Sequence, residues 1–191
     1  MAAEVTDTLL GNPLETQFLL TQFPDMHATV KRERETTLKR LCRMLERGKL
    51  AAPNKASQNH IKLAKFSGET TAKGCYRHNS AAEYITGVEI DCDDVTLTPS
   101  EAATNLEDAG VACFIYTSAS HQKPGKGNRF RVIAPTSQNL PMPERTRLVA
   151  RVNGALGGLA AHESFTDVQS FAIGMIEGDK PPEVHLVDGR Y

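Results

Sequence analysis

The stretch from residue 84 to residue 94 has an acidic residue at every second position, at Glu89, Asp91 and Asp93. Side chains alternate along a β-strand, so these acids would share one face while the apolar residues between them face the core. Carboxylates two positions apart lie roughly 6 to 7 Å apart on a strand, where an effective dielectric near 20 gives a repulsion of about 2 to 3 kcal/mol. The acids therefore either lie in water at the end of a strand or hold a divalent cation.

Length and composition limit the classes of protein to which this chain can belong. A chain of 191 residues with 40% apolar content predicts one compact domain of ordinary size with a small appendage. The net charge of -1 means that any nucleic-acid surface would be local. The four cysteines form no Cys-x-x-Cys pair, and no apolar run of 18 residues or signal-peptide core is present. We expect a soluble, cytoplasmic protein with reduced thiols and no membrane partner.

The first 55 residues predict a helical segment attached to the main domain. Apolar spacing predicts one helix over residues 14–23 and a second over residues 29–47, with Gly48 as its end. The second helix has a basic face that includes Lys39 and Arg43, which is either a solvated surface or a contact for nucleic-acid phosphates. Residues 51–60 resemble a linker, so residues 56–191 are predicted to form the main domain.

The main domain shows an ordered series of elements. Residues 61–66 predict a strand or a helical turn, and the acidic strand at 84–94 follows. The later elements are a helix over 99–109 that opens on the capping box Thr98-Pro-Ser-Glu101, strands at 111–117 and 129–134, a helix over 143–156, and strands at 168–176 and 184–187. The order strand, helix, strand, strand, helix, strand is typical of an α/β (α+β), RRM-like or ferredoxin-like βαββαβ unit. In that topology the acidic strand lies centrally, antiparallel to the third and fourth strands, with helices on one face and the other face open.

This topology gathers distant polar residues at one edge of the sheet. The residues expected there are Asp91 and Asp93 at the end of the first strand, His121 in the loop between the second and third strands, Arg129 and Arg131 at the start of the third strand, and Glu163 and Asp167 before the fourth. Carboxylates that hold two cations, together with positive side chains that hold a triphosphate, are what phosphoryl transfer between nucleotides requires.

Several stretches of the sequence resemble a known family. Val88-Glu-Ile-Asp-Cys-Asp-Asp94 resembles the hydrophobic-Asp-hydrophobic-Asp motif of the archaeo-eukaryotic primase superfamily, and Ala119-Ser-His121 resembles its small-x-His motif. The strand Arg129-Phe-Arg-Val132 and the run Asn153-Gly-Ala-Leu-Gly-Gly158, followed by Glu163-Ser-Phe-Thr, resemble primase-polymerase domains of phage and plasmid replication proteins. The resemblance covers about residues 60 to 190.

The resemblance implies a template-dependent nucleotidyltransferase, a DNA primase or primase-polymerase, that uses nucleoside triphosphates on single-stranded DNA. Asp91 and Asp93 would hold two Mg²⁺ or Mn²⁺ ions, with Glu163 or Asp167 as a third acid. The residues expected to contact the nucleotide are His121, which would also be catalytic, Ser120, Arg129 and Arg131. The residues expected to contact nucleic acid are Lys39, Arg43 and Arg77.

The sequence is also compatible with two other functions. One is a related domain of a replication initiator that binds nucleic acid without catalysis. The other is a metal-dependent nuclease of rolling-circle type, which would need a His-x-His pair and a nucleophilic Tyr, whereas the loop carries only His121. The chain ends in the strand-like run Val187-Asp-Gly-Arg-Tyr191, so we also expect it to be part of a longer replication protein, with a helicase domain or protein as a partner.

Overall fold

The computed structural model describes residues 11–189 and has a mixed α+β architecture. Its strands are β1 (Phe18–Phe23), β2 (Arg32–Thr36), β3 (Ala51–Ala52), β4 (Asn59–Lys62), β5 (Ala64–Phe66), β6 (Ala82–Val95), β7 (Cys113–Thr117), β8 (Asn128–Leu140), β9 (Phe171–Ile173), β10 (Met175–Ile176) and β11 (Val184–Val187). Its α-helices are α1 (Leu38–Glu46), α2 (Pro99–Asp108) and α3 (Glu144–Ala155), and short 3-10 helices span Lys55–Ser57, Asn79–Ala81 and His162–Phe165. The predicted α+β class is confirmed. Within residues 11–189, no helix has the length and apolar character needed to cross a bilayer.

Two antiparallel sheets form the body of the structure. The larger has the strand order β11-β7-β8-β6-β5, and the smaller has the order β2-β1-β4-β9. The long strands β6 and β8 pair in the centre of the larger sheet, and β7 lies on the other side of β8, as the ferredoxin-like order predicts. The predicted succession β6, α2, β7, β8, α3 along the chain is also present.

The core lies on both faces of the larger sheet. On one face, the alternate residues Val88, Ile90 and Cys92 of β6 pack with α2 and α3. On the other face, residues of β7 and β8, among them Phe114 and Ile133, pack with α1 and the smaller sheet. The prediction that one sheet face stays open is therefore wrong, because an antiparallel sheet with apolar residues on both faces must be covered on both.

The fourth strand of the predicted unit also lies elsewhere. β9 pairs with β4 in the smaller sheet, with Ala172 opposite His60, and makes no pairing with β6. The place beside β6 is taken by β5, which pairs with only the first residues of that strand, from Ala82 to Ile85. Gly174 separates β9 from β10, so the predicted strand at 168–176 is divided into two short strands.

Of the helices predicted for the N-terminal segment, only residues 38–46 are helical, as α1, and the prediction is wrong for residues 18–23 and 32–36. Residues 18–23 form β1, which pairs with β2 on one side and with β4 on the other. The apolar residues of this stretch fit a helical period and a strand almost equally well, and pairing with two neighbours decides for the strand. The helix predicted over 29–47 is β2 followed by α1, which begins after the N-cap Thr37. The division of the chain at residue 55 stays a prediction.

The helices α2 and α3 follow their sequence signals closely. In α2 the Thr98 side chain accepts a hydrogen bond from the Glu101 main chain, and the Glu101 carboxylate accepts one from the Thr98 main chain, which completes the capping box. The helix α2 connects β6 to β7, and α3 lies between β8 and β9 along the chain.

Gly87 offers a test of the packing around β6. A Cβ atom at this position would lie 2.5 Å from the Ala134 carbonyl oxygen and 2.6 Å from the Pro135 Cα, both of them main-chain atoms of β8. We expect Gly87→Ala to lower the free energy of unfolding by about 2 kcal/mol or more, because the strands must separate to admit the methyl group. Urea denaturation measures this change.

The matched control is Gly154→Ala in α3, where a Cβ atom would meet nothing within 4 Å. Alanine is the better helix former, so this variant is expected to gain about 0.5 to 1 kcal/mol. Equal effects of the two substitutions would contradict the close approach of β6 and β8 at Gly87.

Candidate active site

Pairing of β6 with β8 brings the acids and arginines of the motifs together. Asp91 lies directly opposite Arg131 in the ladder. The Arg131 Nε donates to Asp91 Oδ1 at 2.9 Å, and the Arg129 Nε donates to Asp93 Oδ1 at 2.9 Å. A second nitrogen of Arg129 contacts the other oxygen of Asp93, so this pair is two-pronged. The predicted convergence of these four residues is present in the structure.

The two ion pairs differ in exposure. The side chains of Asp91 and Arg131 are 12% and 14% exposed, whereas the Asp93 side chain is 37% exposed beside Arg129 at 16%. Burial raises the pKa of the Asp91 carboxyl above its ordinary value, although the charge of Arg131 opposes this. The hydrogen bond to Asp93 raises the pKa of Arg129. Asp93 is therefore the more accessible carboxylate, and Asp91 the one set deeper.

Arg131 is held from the opposite sheet as well. Its Nη1 donates to the Ala172 carbonyl at 2.7 Å, and its guanidinium lies over the Phe171 ring with 5.7 Å to the ring centroid. The buried Tyr116 hydroxyl donates to the same carbonyl at 2.9 Å, and burial raises the pKa of Tyr116 to about 12. Arg131 is thus fixed at the junction of the two sheets, whereas the Arg129 side chain is paired with the carboxylates of Asp93 and Asp94.

The loop that carries His121 is anchored to the end of β6. Asp94 has the positive φ of 55° at an irregularity in the β6 ladder, and its Oδ1 accepts a hydrogen bond from the Gly127 main chain at 2.9 Å. The Arg129 main-chain N–H donates to His121 Nδ1 at 3.1 Å. This bond leaves His121 Nε2 as the ring nitrogen available to a ligand.

Two adjoining cavities surround the acids, and together we call them the acidic cleft. The larger, of about 480 Å³, is lined by residues that include Asp91, Asp93, Glu163, His60 and Lys55. The smaller, of about 180 Å³, is lined by Asp91, Asp93, Arg129, Arg131, Ser118, Ala119, Ser120, Lys55 and Gln58. Glu163 and Ser120 are thus brought to the acids, as predicted.

His121 and Asp167 do not line the acidic cleft. His121 lines a neighbouring cavity of about 450 Å³ with Lys123, Lys180 and Pro181, and Ser118 and Ala119 line both this cavity and the acidic cleft. Asp167 is absent from the lining of the acidic cleft, and its charge acts instead on the buried Lys62. Of the two candidate third acids, Glu163 shares the cleft with Asp91 and Asp93.

Sequence reasoning missed the residues from the stretch predicted as a linker. Lys55 and Gln58 line the acidic cleft, and His60 lines it from β4. The His60 ring lies 3.4 Å from the Ser170 hydroxyl, and burial lowers its pKa. The polar composition of 51–60 resembles an ordinary loop, and only the pairing of β4 with β1 and β9 brings these residues to the cleft.

The three residues predicted to contact nucleic acid, Lys39, Arg43 and Arg77, lie in different surroundings. Arg77 donates to the carbonyls of Val168 at 3.2 Å and Met26 at 3.1 Å, so its guanidinium connects three segments of main chain. Lys39 forms an ion pair with Glu15, whereas Arg43 is exposed on α1. The basic face of α1 remains on the surface.

Glu89 shares a face with Asp91 but lies beneath the cleft. Its carboxylate is fully buried and paired with Lys62 at 2.9 Å and Arg145 at 3.2 Å, both also fully buried. Burial opposes ionisation of Glu89, but the charges of Lys62 and Arg145 outweigh it and lower the pKa of Glu89. Burial lowers the pKa of Lys62 to about 8, although the negative charge of Glu89 acts to raise it.

The donor chemistry of the cleft fits Mg²⁺ or Mn²⁺. Among residues 11–189 no group of three or more His, Cys, Asp or Glu side chains is close enough to hold a metal ion. Mg²⁺ is commonly bound by one or two carboxylates with waters and substrate phosphates as the other ligands, rather than by a complete protein cage. Asp91 and Asp93, next to each other on one strand face, are suited to that mode.

Comparisons with known proteins give two solved structures. One is the AEP domain of a primase-polymerase from cyanophage S-2L, with 13% identity, a TM-score of 0.49, and coverage of 96% of this chain and 87% of that chain. The other is the polymerase domain of ligase D from Mycobacterium tuberculosis in complex with DNA, with 16% identity, a TM-score of 0.32, and coverage of 78% of this chain and 48% of that chain. No protein-family model matches the chain, and no curated protein matches it.

The two arginines allow a matched test of the ion pairs. Arg131→Met would leave Asp91 largely buried without its partner, so we expect a loss of roughly 2 to 3 kcal/mol of unfolding free energy. Arg129→Met removes the more exposed pair and is expected to cost less than about 1 kcal/mol. Chemical denaturation of both variants measures the difference, and a cost for Arg129→Met as large as that for Arg131→Met would contradict the distinct burial of the two pairs.

Proposed function

We propose that the acidic cleft is the active site of a metal-dependent nucleotidyltransferase, a primase or primase-polymerase that joins nucleotides on single-stranded DNA. The observation that carries this proposal is the shared lining of the cleft by Asp91, Asp93 and Glu163, with Arg129 and Arg131 bonded to the first two acids. The motifs at these positions resemble the archaeo-eukaryotic primase superfamily, which supports the same function.

The acids would hold the cations. Asp91 and Asp93 would each supply carboxylate oxygens, and Glu163 faces them from the segment before β9. Divalent cations bound there would neutralise the developing charge on the transferred phosphate and orient the attacking and leaving oxygens. The deeper position of Asp91 limits water around it, which strengthens its electrostatic interactions.

The arginines have different parts in this proposal. Arg131 is bonded to Ala172 and stacked on Phe171 as well as paired with Asp91, so it stays in place and fixes the position of Asp91. Arg129 is bonded only through its exposed pairs with Asp93 and Asp94. A triphosphate offers the same two-pronged acceptor geometry as a carboxylate, so Arg129 is the residue that would turn from Asp93 to the nucleotide.

Ser120 and His121 would contact the phosphates from the loop. Because His121 Nδ1 accepts the Arg129 main-chain N–H, the neutral ring carries its proton on Nε2 and presents a donor. Lys55 adds a positive charge to the lining of the cleft. The cleft therefore has cationic or donor groups in addition to the paired acids.

The first test is incorporation of labelled nucleotides, deoxy and ribo in separate reactions, on a single-stranded template with Mg²⁺ or Mn²⁺. We expect activity in the unaltered protein and a loss of at least about 100-fold in Asp91→Asn, since even outer partners of metal ligands are worth 10- to 100-fold. Arg147→Ala, at a side chain of α3 that is 82% exposed, is the control and should retain activity.

The second test concerns the template. Single strands bind through phosphates, so the double variant Lys39→Glu with Arg43→Glu is expected to lose the gel shift of a single-stranded oligonucleotide. If both residues contact phosphates, the salt slope of binding should fall by about 1.4, roughly 0.7 for each contact. The matched control reverses Arg147 and Arg151 on α3 and should bind as the unaltered protein does.

The two tests together separate the proposed function from its alternative. A protein that binds single strands but incorporates no nucleotide under any of the four conditions would be a nucleic-acid-binding domain of a replication initiator. That outcome would overturn the catalytic proposal while leaving the surface of α1 as the binding site.

A further inference from the structure

A cluster of three charged residues lies beneath the acidic cleft and is not used in the proposed chemistry. Lys62 of β4, Glu89 of β6 and Arg145 of α3 are each fully buried. Both Lys62 and Arg145 bond the same oxygen of Glu89, and the other oxygen accepts the main-chain N–H of Leu63. We call these three residues the buried charge cluster.

The buried charge cluster is joined to the cleft through one residue. While Arg145 Nη2 donates to Glu89 at 3.2 Å, its Nη1 donates to the main-chain carbonyl of Ser164 at 2.6 Å. Ser164 is itself fully buried, and its hydroxyl accepts the main-chain N–H of Asp91 at 2.9 Å. A continuous path of hydrogen bonds therefore runs from Glu89 to the main chain of Asp91.

Residues 161–164 complete the edge of β6 where β5 no longer pairs with it. The Ala161 main-chain N–H donates to the Asp91 carbonyl at 2.7 Å, and the Ser164 hydroxyl accepts the Asp91 N–H. Both main-chain groups of Asp91 are thus bonded to this segment. Glu163 lies between the two anchor residues and lines the acidic cleft.

Stability alone gives little reason for such a cluster. Burying charged groups carries a large desolvation cost, and apolar residues of similar volume are often as stabilising or more so. A guanidinium, however, carries its N–H donors in a rigid planar fork, whereas apolar side chains offer no donor and Lys carries its donors on one rotatable nitrogen. The geometry of Arg145, with one nitrogen on Glu89 and another on Ser164, uses that property.

We propose that Glu89 and Arg145 are positioning residues that hold the segment 161–164 against β6 and so determine where Glu163 lies relative to Asp91 in the acidic cleft, where a divalent cation would bind. The inference rests on the proposed function of the acidic cleft. Neither residue touches the substrate, and both act through Ser164. Outer partners that orient metal ligands commonly contribute 10- to 100-fold to metal affinity.

The test uses Arg145→Lys, which keeps the positive charge beside Glu89 but replaces the two nitrogens that reach Glu89 and Ser164 with a single one. Mn²⁺ binding is measured by the loss of the free-ion electron paramagnetic resonance signal, and hydrogen exchange is measured at the amides of Asp91 and Ala161. We expect Mn²⁺ affinity to fall about tenfold and both amides to exchange faster. Ser164→Ala, a milder change that removes only the hydroxyl, should accelerate exchange at Asp91 and weaken Mn²⁺ binding in the same direction.

The control is Leu106→Ala, a cavity in the core between α2 and the sheet that lowers stability without touching this path. This variant should bind Mn²⁺ with the affinity of the unaltered protein. The exchange rates of the Asp91 and Ala161 amides, compared with those of the other amides in the same variant, should also be unchanged. If Arg145→Lys and Ser164→Ala both bind Mn²⁺ within twofold of the unaltered protein, the positioning role is overturned. Absence of Mn²⁺ binding in the unaltered protein would overturn the proposed function instead, and the exchange rates would still decide whether Arg145 fixes the edge of β6.

Discussion

The register between β6 and β8 is the constraint on which the cleft depends. It places Asp91 opposite Arg131 and brings Arg129 within reach of Asp93, so each acid meets a positive charge from the neighbouring strand. A shift of one residue would send these side chains to the face occupied by α2 and α3. The apolar residues Ile90 and Phe130, buried on that helical face, prevent such a shift.

The layer that covers the second face of the larger sheet encloses the acids in a cleft. The smaller sheet and α1 bury Phe114 and Ile133, which a single-layer arrangement would leave exposed. This layer also supplies the Ala172 carbonyl to Arg131 and the side chain of His60 to the cleft wall. A set of charged residues that would lie on an open surface is therefore held between two sheets, where burial raises the pKa of Asp91.

The sequence predicted the parts of this structure that local signals determine. The capping box marks the start of α2, and the alternation from Val88 to Asp93 assigns the faces of β6 correctly. The position of β9 depends on long-range pairing with β4, and no local pattern distinguishes that partner from β6. Residues 18–23 show the same limit, since their apolar spacing suits a helix until β2 and β4 are seen on either side. For the same reason the sequence did not predict that Lys55 lines the cleft. The motifs did predict that Asp91, Asp93 and Arg131 lie close together.

Asp91 is held on two sides by different groups. On one side β8 supplies Arg131, whose guanidinium is itself held by Ala172. On the other side the main chain of Asp91 is bonded to Ala161 and Ser164, which places the constraint on the backbone and leaves part of the carboxylate facing the cleft. An acid held only by ion pairs would exchange those pairs for a cation and lose its position. An acid whose main chain is held separately keeps its place when a further group approaches its carboxylate, because the main-chain bonds do not involve that carboxylate.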